Sequence, residues 1–166
     1  TSESGQDAIA IAEPDRSVLS YLQLCGQMTK VIGLLRSMGV QRNDRVAVAL
    51  PNGPEAAVAF LAIAAGATYA PLNPNYRASE YEFYLNDLGP KALIVQPGVA
   101  EPARAVAQQL NIPVIELSPS LDAAAGLFEL SIPAPKQPGP IDFAEPDESR
   151  STPPTAPSPE RLQALL

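Results

Sequence analysis

The sequence predicts a three-layer α/β domain, with a mostly parallel sheet and flanking helices, followed by a disordered proline-rich tail. Three observations carry that prediction. Short apolar runs alternate with helical stretches from Arg45 to Leu117, the pattern of a parallel sheet whose right-handed crossovers lay helices on its faces. Glycine and proline punctuate these stretches at Gly39, Pro51, Gly66 and Gly89-Pro90. Nine of the 19 prolines then fall between Pro133 and Pro159, a density that separates a tail from an ordinary globular region.

Taken in order, residues 1–16 are polar and mixed, and are expected to be flexible. Ser17 offers an N-cap for a helix over Val18–Met38, where Leu22, Cys25, Met28, Ile32 and Leu35 recur at helical spacing and Gly39 supplies a C-terminal cap. After the turn Gln41–Asp44, Arg45–Leu50 reads as a strand buried on both faces. Pro51-Asn52-Gly53-Pro54 ends it, and an alanine-rich helix, hydrophobic all round, runs from Glu55 to about Ala65. A strand follows over Thr68–Leu72. Ser79, with Glu82 three residues later, reads as a capping box for a helix reaching Leu88. Lys91–Gln96 is the next strand, Ala100–Leu110 a helix, and Pro113–Leu117 a further strand. The domain is therefore placed at 17–118, with 119–132 a weakly structured linker whose one helical candidate is Leu121–Leu130. Residues 133–166 form the tail, with too little apolar surface to offset ordering entropy.

Composition narrows the chemistry. At 166 residues the chain fits one domain, and a domain of about 150 residues buries roughly 68–70% of its unfolded surface. A net charge of −7 lacks the clustered Lys and Arg that phosphate neutralisation requires, so no nucleic-acid partner is expected. The least polar window, Ala56–Leu72, is 17 residues long, holds Gly66 and Pro71, and falls short of the roughly 20 apolar residues of a spanning helix. No membrane span is expected. The chain begins at Thr1 without a basic-then-apolar leader, read here as a fragment boundary with no secretory signal. The single Cys25 has no internal disulfide partner and is expected to be a small buried hydrophobe in a reducing, cytoplasmic setting.

Histidine is absent, which excludes Ser-His-Asp and Cys-His catalysis, and no carboxylate cluster has the spacing of a metal site. Glu80 and Glu82 sit two apart on a helix and face different ways, the pattern of a solvated face. Asn52-Gly53-Pro54-Glu55 follows a strand and opens a helix, as a phosphate loop would. It has one glycine, no Lys or Ser/Thr partner, and a Glu that would repel phosphate. A tight turn is the competing reading. No catalytic residue is assigned and no metal ligand.

Three segments in order resemble the adenylate-forming, AMP-dependent acyl-CoA synthetases. Leu19-Ser20-Tyr21-Leu22-Gln23-Leu24 resembles their first core motif, on the first helix. Asn43-Asp44-Arg45-Val46-Ala47-Val48-Ala49-Leu50-Pro51-Asn52 is similar to the family's early strand with its Leu-Pro-Asn turn. Ala65-Gly66-Ala67-Thr68-Tyr69-Ala70-Pro71-Leu72-Asn73-Pro74 resembles the second core motif. Asn73–Tyr76 and Glu80–Leu88 are similar to the oxalyl-CoA synthetases of fungi and plants. The resemblance covers about 17–118, with a shorter echo at Phe143–Asp147.

That resemblance implies the N-terminal subdomain of an enzyme that joins a small carboxylic acid to CoA using ATP and Mg2+, through an acyl-adenylate. The family's phosphate loop should follow the echo, but Ser149–Pro159 contains no glycine and no lysine. The chain is therefore expected to be inactive alone, to need no cofactor itself, and to carry no catalytic residue. Read one base out of register, suitable codons for Glu148–Pro154 would encode a lead into that loop, which points to a frameshift or a mis-spliced boundary. Asn52, Asn73 and Pro74 are the candidate substrate-binding residues, because they lie just beyond strand ends, where α/β proteins bind ligands. A structural turn is the alternative role for each. A retained, non-catalytic interaction module is the alternative function, with self-association through apolar surfaces exposed by truncation. Relatives carry a peroxisomal address that Ala164-Leu165-Leu166 does not resemble.

Overall fold

The computed structural model describes residues 5 and 7–133. Its main sheet has five strands, β3 (Arg45–Ala49), β4 (Thr68–Pro71), β5 (Ala92–Val95), β6 (Val114–Pro119) and β7 (Phe128–Ser131), arranged in the order β4-β3-β5-β6-β7. The first four run parallel, and β7 lies antiparallel along β6. Helix α1 (Tyr21–Ser37) and helix α2 (Pro54–Gly66) cover one face; α3 (Ala78–Leu88) and α4 (Glu101–Gln109) cover the other. The expected three-layer α/β architecture is present.

Two cores follow from the period of two along buried strands. Val46 and Val48 of β3, Ala92 and Ile94 of β5, and Ile115 and Leu117 of β6 face α1 and α2. Ala47, Ala49, Leu93 and Val95 face α3 and α4, meeting Tyr81, Leu85, Ala103 and Val106. Each fully buried aliphatic side chain here contributes about 1.5–3 kcal/mol of transfer free energy. At Gly66 an added Cβ would stand 3.2 Å from Ile32 Cγ1, so the missing side chain lets α1 and α2 approach closely. Arg36 of α1 donates to the Gly66 carbonyl at 2.9 Å, satisfying an acceptor at the C-terminus of α2.

Several local expectations differ from the structure. The first helix begins at Tyr21 rather than Val18. Ser20 and Gln23 form its capping box, with Gln23 N–H donating to Ser20 Oγ at 3.3 Å and Ser20 N–H to Gln23 Oε1 at 2.9 Å. Upstream, β1 (Ile9–Ile11) and β2 (Leu19–Ser20) make an antiparallel pair, so the described part of the expected flexible segment contains a strand. The buried stripe of α1 is Leu24, Gln27, Val31 and Leu35. Cys25 lies off that stripe and is exposed, which corrects its reading as a buried hydrophobe. Gln27 is buried because its Nε2 donates to the Phe128 carbonyl at 2.7 Å.

Helix α3 starts at Ala78, and the Glu80 carboxylate, not Glu82, reaches back to accept the Arg77 N–H at 2.9 Å. The helix proposed over Leu121–Leu130 does not form. That stretch is a turn leading into β7, whose Phe128 side chain is buried and whose backbone satisfies β6. The sheet therefore extends past the expected domain end at 118. No helix among the described residues is long and apolar enough to cross a membrane. The expectations for the tail and for the Phe143–Asp147 echo lie outside the described residues.

Candidate functional site

Strand order positions the site. The chain leaves β3 through α2 on one face to reach β4, then returns through α3 on the other face to reach β5, on the far side of β3. Connections diverge at this switch point and open a crevice beyond the carboxyl ends of the strands, the usual ligand position in α/β sheets. A cleft of about 590 Å³ lies there. Leu50, Pro51 and Asn52 line it from the end of β3; Leu72, Asn73, Pro74 and Asn75 from the end of β4; and Val99 from the loop after β5.

The three candidate residues all border this one cleft. Asn52 is exposed and belongs to the loop that enters α2. Asn73 forms a turn, the alternative role expected for it: its Oδ1 accepts the Asn75 N–H at 2.9 Å, and its carbonyl accepts both the Tyr76 N–H at 3.1 Å and the Tyr81 hydroxyl at 2.7 Å. Pro74 follows in the same turn and is half-buried. Gly53 is extended (φ 163°) and opens α2 without a side-chain cap. Glu55, expected to repel a phosphate at this loop, instead pairs with Arg16 at 2.6 Å and is absent from the cleft lining.

The lining is electrically neutral. Its aromatic member, Tyr69, packs edge-on against Phe60 with centroids 5.1 Å apart, and burial raises its phenol pKa above the ordinary value. Behind the wall, the Tyr81 ring is fully buried. Burial first, then the neighbouring Tyr76 and Glu80, pushes its phenol up to about 12. Both phenols are thus uncharged at neutral pH. Among the lining residues no Lys or Arg is present to meet a triphosphate. Among the described residues no group of three or more His, Cys, Asp or Glu could hold a metal ion. The lining of this cleft therefore does not fit the ATP phosphates or Mg2+, and what it provides is asparagine amides over an apolar floor.

Sequence reasoning missed Arg16, Glu55, Tyr81 and Gly126 as elements of this architecture. Arg16 and Gly126 lie in irregular segments with no periodicity to mark them, and they stand 39 and 71 residues from their shared partner, Glu55.

Comparison with known proteins gives one consistent answer. The description "AMP-binding enzyme" matches residues 1–165. A probable CoA ligase of Humulus lupulus is 40% identical over 125 residues, covering 75% of this chain and 23% of that protein. The oxalate–CoA ligase of Saccharomyces cerevisiae is 49% identical over 63 residues, 37% of this chain and 12% of that one. Among solved structures, apo MatB from Rhodopseudomonas palustris superposes with a TM-score of 0.62 at 27% identity, over 78% of this chain and 28% of that one. The chain thus spans about a quarter or less of the length of the first two relatives.

Proposed function

The chain belongs to the AMP-binding enzyme family, and on that premise we propose that it forms one wall of the substrate groove of an ATP-dependent acid–CoA ligase, with oxalate as the acid. The observation that carries this reading is the convergence of Asn52, Asn73 and Pro74 on one cleft beyond the carboxyl ends of β3 and β4. Their roles are to bind and orient: neutral amides hydrogen-bond a substrate without imposing charge, while Leu50, Leu72 and Val99 exclude water from beneath it. The choice of oxalate is supported by the 49% identity with the yeast oxalate–CoA ligase.

The reaction joins a carboxylate to CoA with release of AMP and diphosphate. The absence of glycine and lysine from Ser149–Pro159, where the family's phosphate loop is expected, supports the further proposal that the 166-residue chain performs no adenylate transfer on its own. Two measurements test these claims. Purified chain incubated with ATP, Mg2+, oxalate and labelled diphosphate is expected to exchange no label into ATP; incorporation above the no-oxalate control overturns the inactivity claim. Residues 17–132 grafted in place of the matching segment of the yeast oxalate–CoA ligase are expected to retain oxalyl-CoA formation, and to lose about tenfold in rate with Asn52→Ala, a typical cost for one polar contact. A folded chimera that activates other small acids but not oxalate would refute the oxalate assignment.

A second reading, a non-catalytic interaction module, is favoured by the exposed Phe83 (67%) and Tyr84 (37%), neighbours on α3 with ring centroids 5.3 Å apart. Sedimentation of the purified chain distinguishes it: concentration-dependent self-association supports this alternative, and a monomer at every concentration counts against it.

A further inference from the structure

Three segments distant in sequence meet at Arg16. Its Nη1 donates to Glu55 Oε1 at 2.6 Å and to Glu13 Oε2 at 3.0 Å. Its Nη2 donates to the carbonyls of Ser120 at 3.2 Å and Ala124 at 3.4 Å. The same Glu55 oxygen accepts the Gly126 N–H at 3.3 Å, and Ala125 N–H donates to the Ser17 carbonyl at 2.8 Å. The Arg16 and Glu55 side chains are each only 14% exposed, so water screens this pair less than a surface pair. Gly126 sits at φ +90°, and a Cβ there would stand 2.7 Å from Val58 Cγ2. The loop between β6 and β7 therefore presses directly on the first turn of α2.

That first turn also builds the cleft. Glu55 is the second residue of α2; Ala56 beside it lines the cleft, as do Pro51 and Asn52 just before the helix. Gly53 supplies no side-chain cap, so Glu55 is the polar side chain by which the first turn is held from outside the helix. Without the guanidinium, a part-buried carboxylate would keep one backbone N–H and would turn toward water, because an uncompensated charge is costly to bury.

We propose that Arg16 is a positioning residue for the cleft, acting through Glu55 to set the first turn of α2 and with it the wall formed by Pro51, Asn52 and Ala56. The N-terminal segment and the β6–β7 loop thereby govern the geometry of a groove that neither of them lines. The functional weight of this pair rests on the ligase reading of the cleft, whereas the following readouts are structural and stand whether or not that reading holds.

In the 15N-labelled 166-residue chain, Arg16→Gln is expected to shift the resonances of the Asn52 side-chain amide and the Ala56 backbone amide. It is also expected to speed hydrogen exchange at Ala57, whose N–H donates to the Gly53 carbonyl at 3.1 Å, by about tenfold, the scale of one charge-assisted hydrogen bond. Ala92–Val95 should be unchanged. Arg16→Lys, which keeps a cation beside Glu55, should restore most of the protection. Changes confined to residues 13–17 and 120–126, or a Lys variant no better than Gln, overturn the proposal. Should Arg16→Gln fail to fold, Glu55→Gln keeps an acceptor for Gly126 while removing the charge; unaltered Asn52 and Ala57 signals in that variant would equally overturn it.

Discussion

The Tyr81 hydroxyl donates to the Asn73 carbonyl at 2.7 Å, linking the first turns of helix α3 to the turn that lines the cleft after β4. Its ring is fully buried between α3 and the sheet. Tyr81→Phe keeps the ring volume and removes one hydrogen bond, while Tyr76 N–H continues to satisfy the Asn73 carbonyl. The expected loss is about 1 kcal/mol, read as a lower urea midpoint with an unchanged slope. A midpoint equal to the parent's would show that the bond contributes nothing to the turn.

The same phenol makes stability depend on alkaline pH. Its folded pKa is raised, by burial first, to about 12, against about 10 in an unfolded chain. The unfolded state therefore loses its proton first. The stabilisation of the protonated phenol is complete below pH 10 and declines as pH rises from about 10 to 12. Burial raises the Tyr69 phenol in the same direction. Denaturant titrations across that window should show falling stability, with a shallower fall in Tyr81→Phe. Identical slopes in the two proteins would contradict the assignment to Tyr81.

Ser20→Ala should cost about 1 kcal/mol, because the Ser20 hydroxyl accepts the Gln23 N–H at the start of α1. Ser17→Ala should remain within about 0.5 kcal/mol of the parent, since Ser17 contributes its backbone carbonyl to Ala125. Thermal unfolding of the two variants decides where the helix is capped. Equal losses would argue for a start nearer Val18.

Gly126→Ala should be the most damaging of these substitutions. It places a Cβ 2.7 Å from Val58 Cγ2 at φ +90°, where L-residues are strained. A loss of about 2–4 kcal/mol is expected from strain and overpacking together. Gly39→Ala provides the comparison: it has positive φ (+81°) but nothing within 4 Å of the added Cβ. It should cost about 1 kcal/mol.

Most of the sheet was legible because burial on both faces writes a plain signal. Val46–Ala49 and Ala92–Val95 are continuous apolar runs, and helices of opposite layers separate them. The Leu121–Leu130 stretch differs from its expected helix because Leu121 and Ala123–Ala125 suit a helix locally, whereas Gly126 breaks it and the free edge of β6 offers Glu129 and Leu130 a ladder of hydrogen bonds. Tertiary pairing overrode a weak propensity there. The face of α1 was misplaced for a related reason. Apolar residues surround that helix, and contact with α2 and β7 selected Leu24, Gln27, Val31 and Leu35 from among them.

The candidate site divides along the same line. Asn52, Asn73 and Pro74 could be named from sequence, because loops beyond strand ends are recognisable from local punctuation alone. Their union in one cleft depended on strand order, β4-β3-β5, which adjacent residues do not encode. The α/β class and family membership come from local patterns of hydrophobicity and motif, which short windows of chain carry completely. The Arg16–Glu55–Gly126 junction, the exposure of Cys25 and the neutrality of the cleft come from folding alone. Each depends on which surfaces meet across tens of residues, and that is settled by packing and desolvation rather than by any residue's neighbours in sequence.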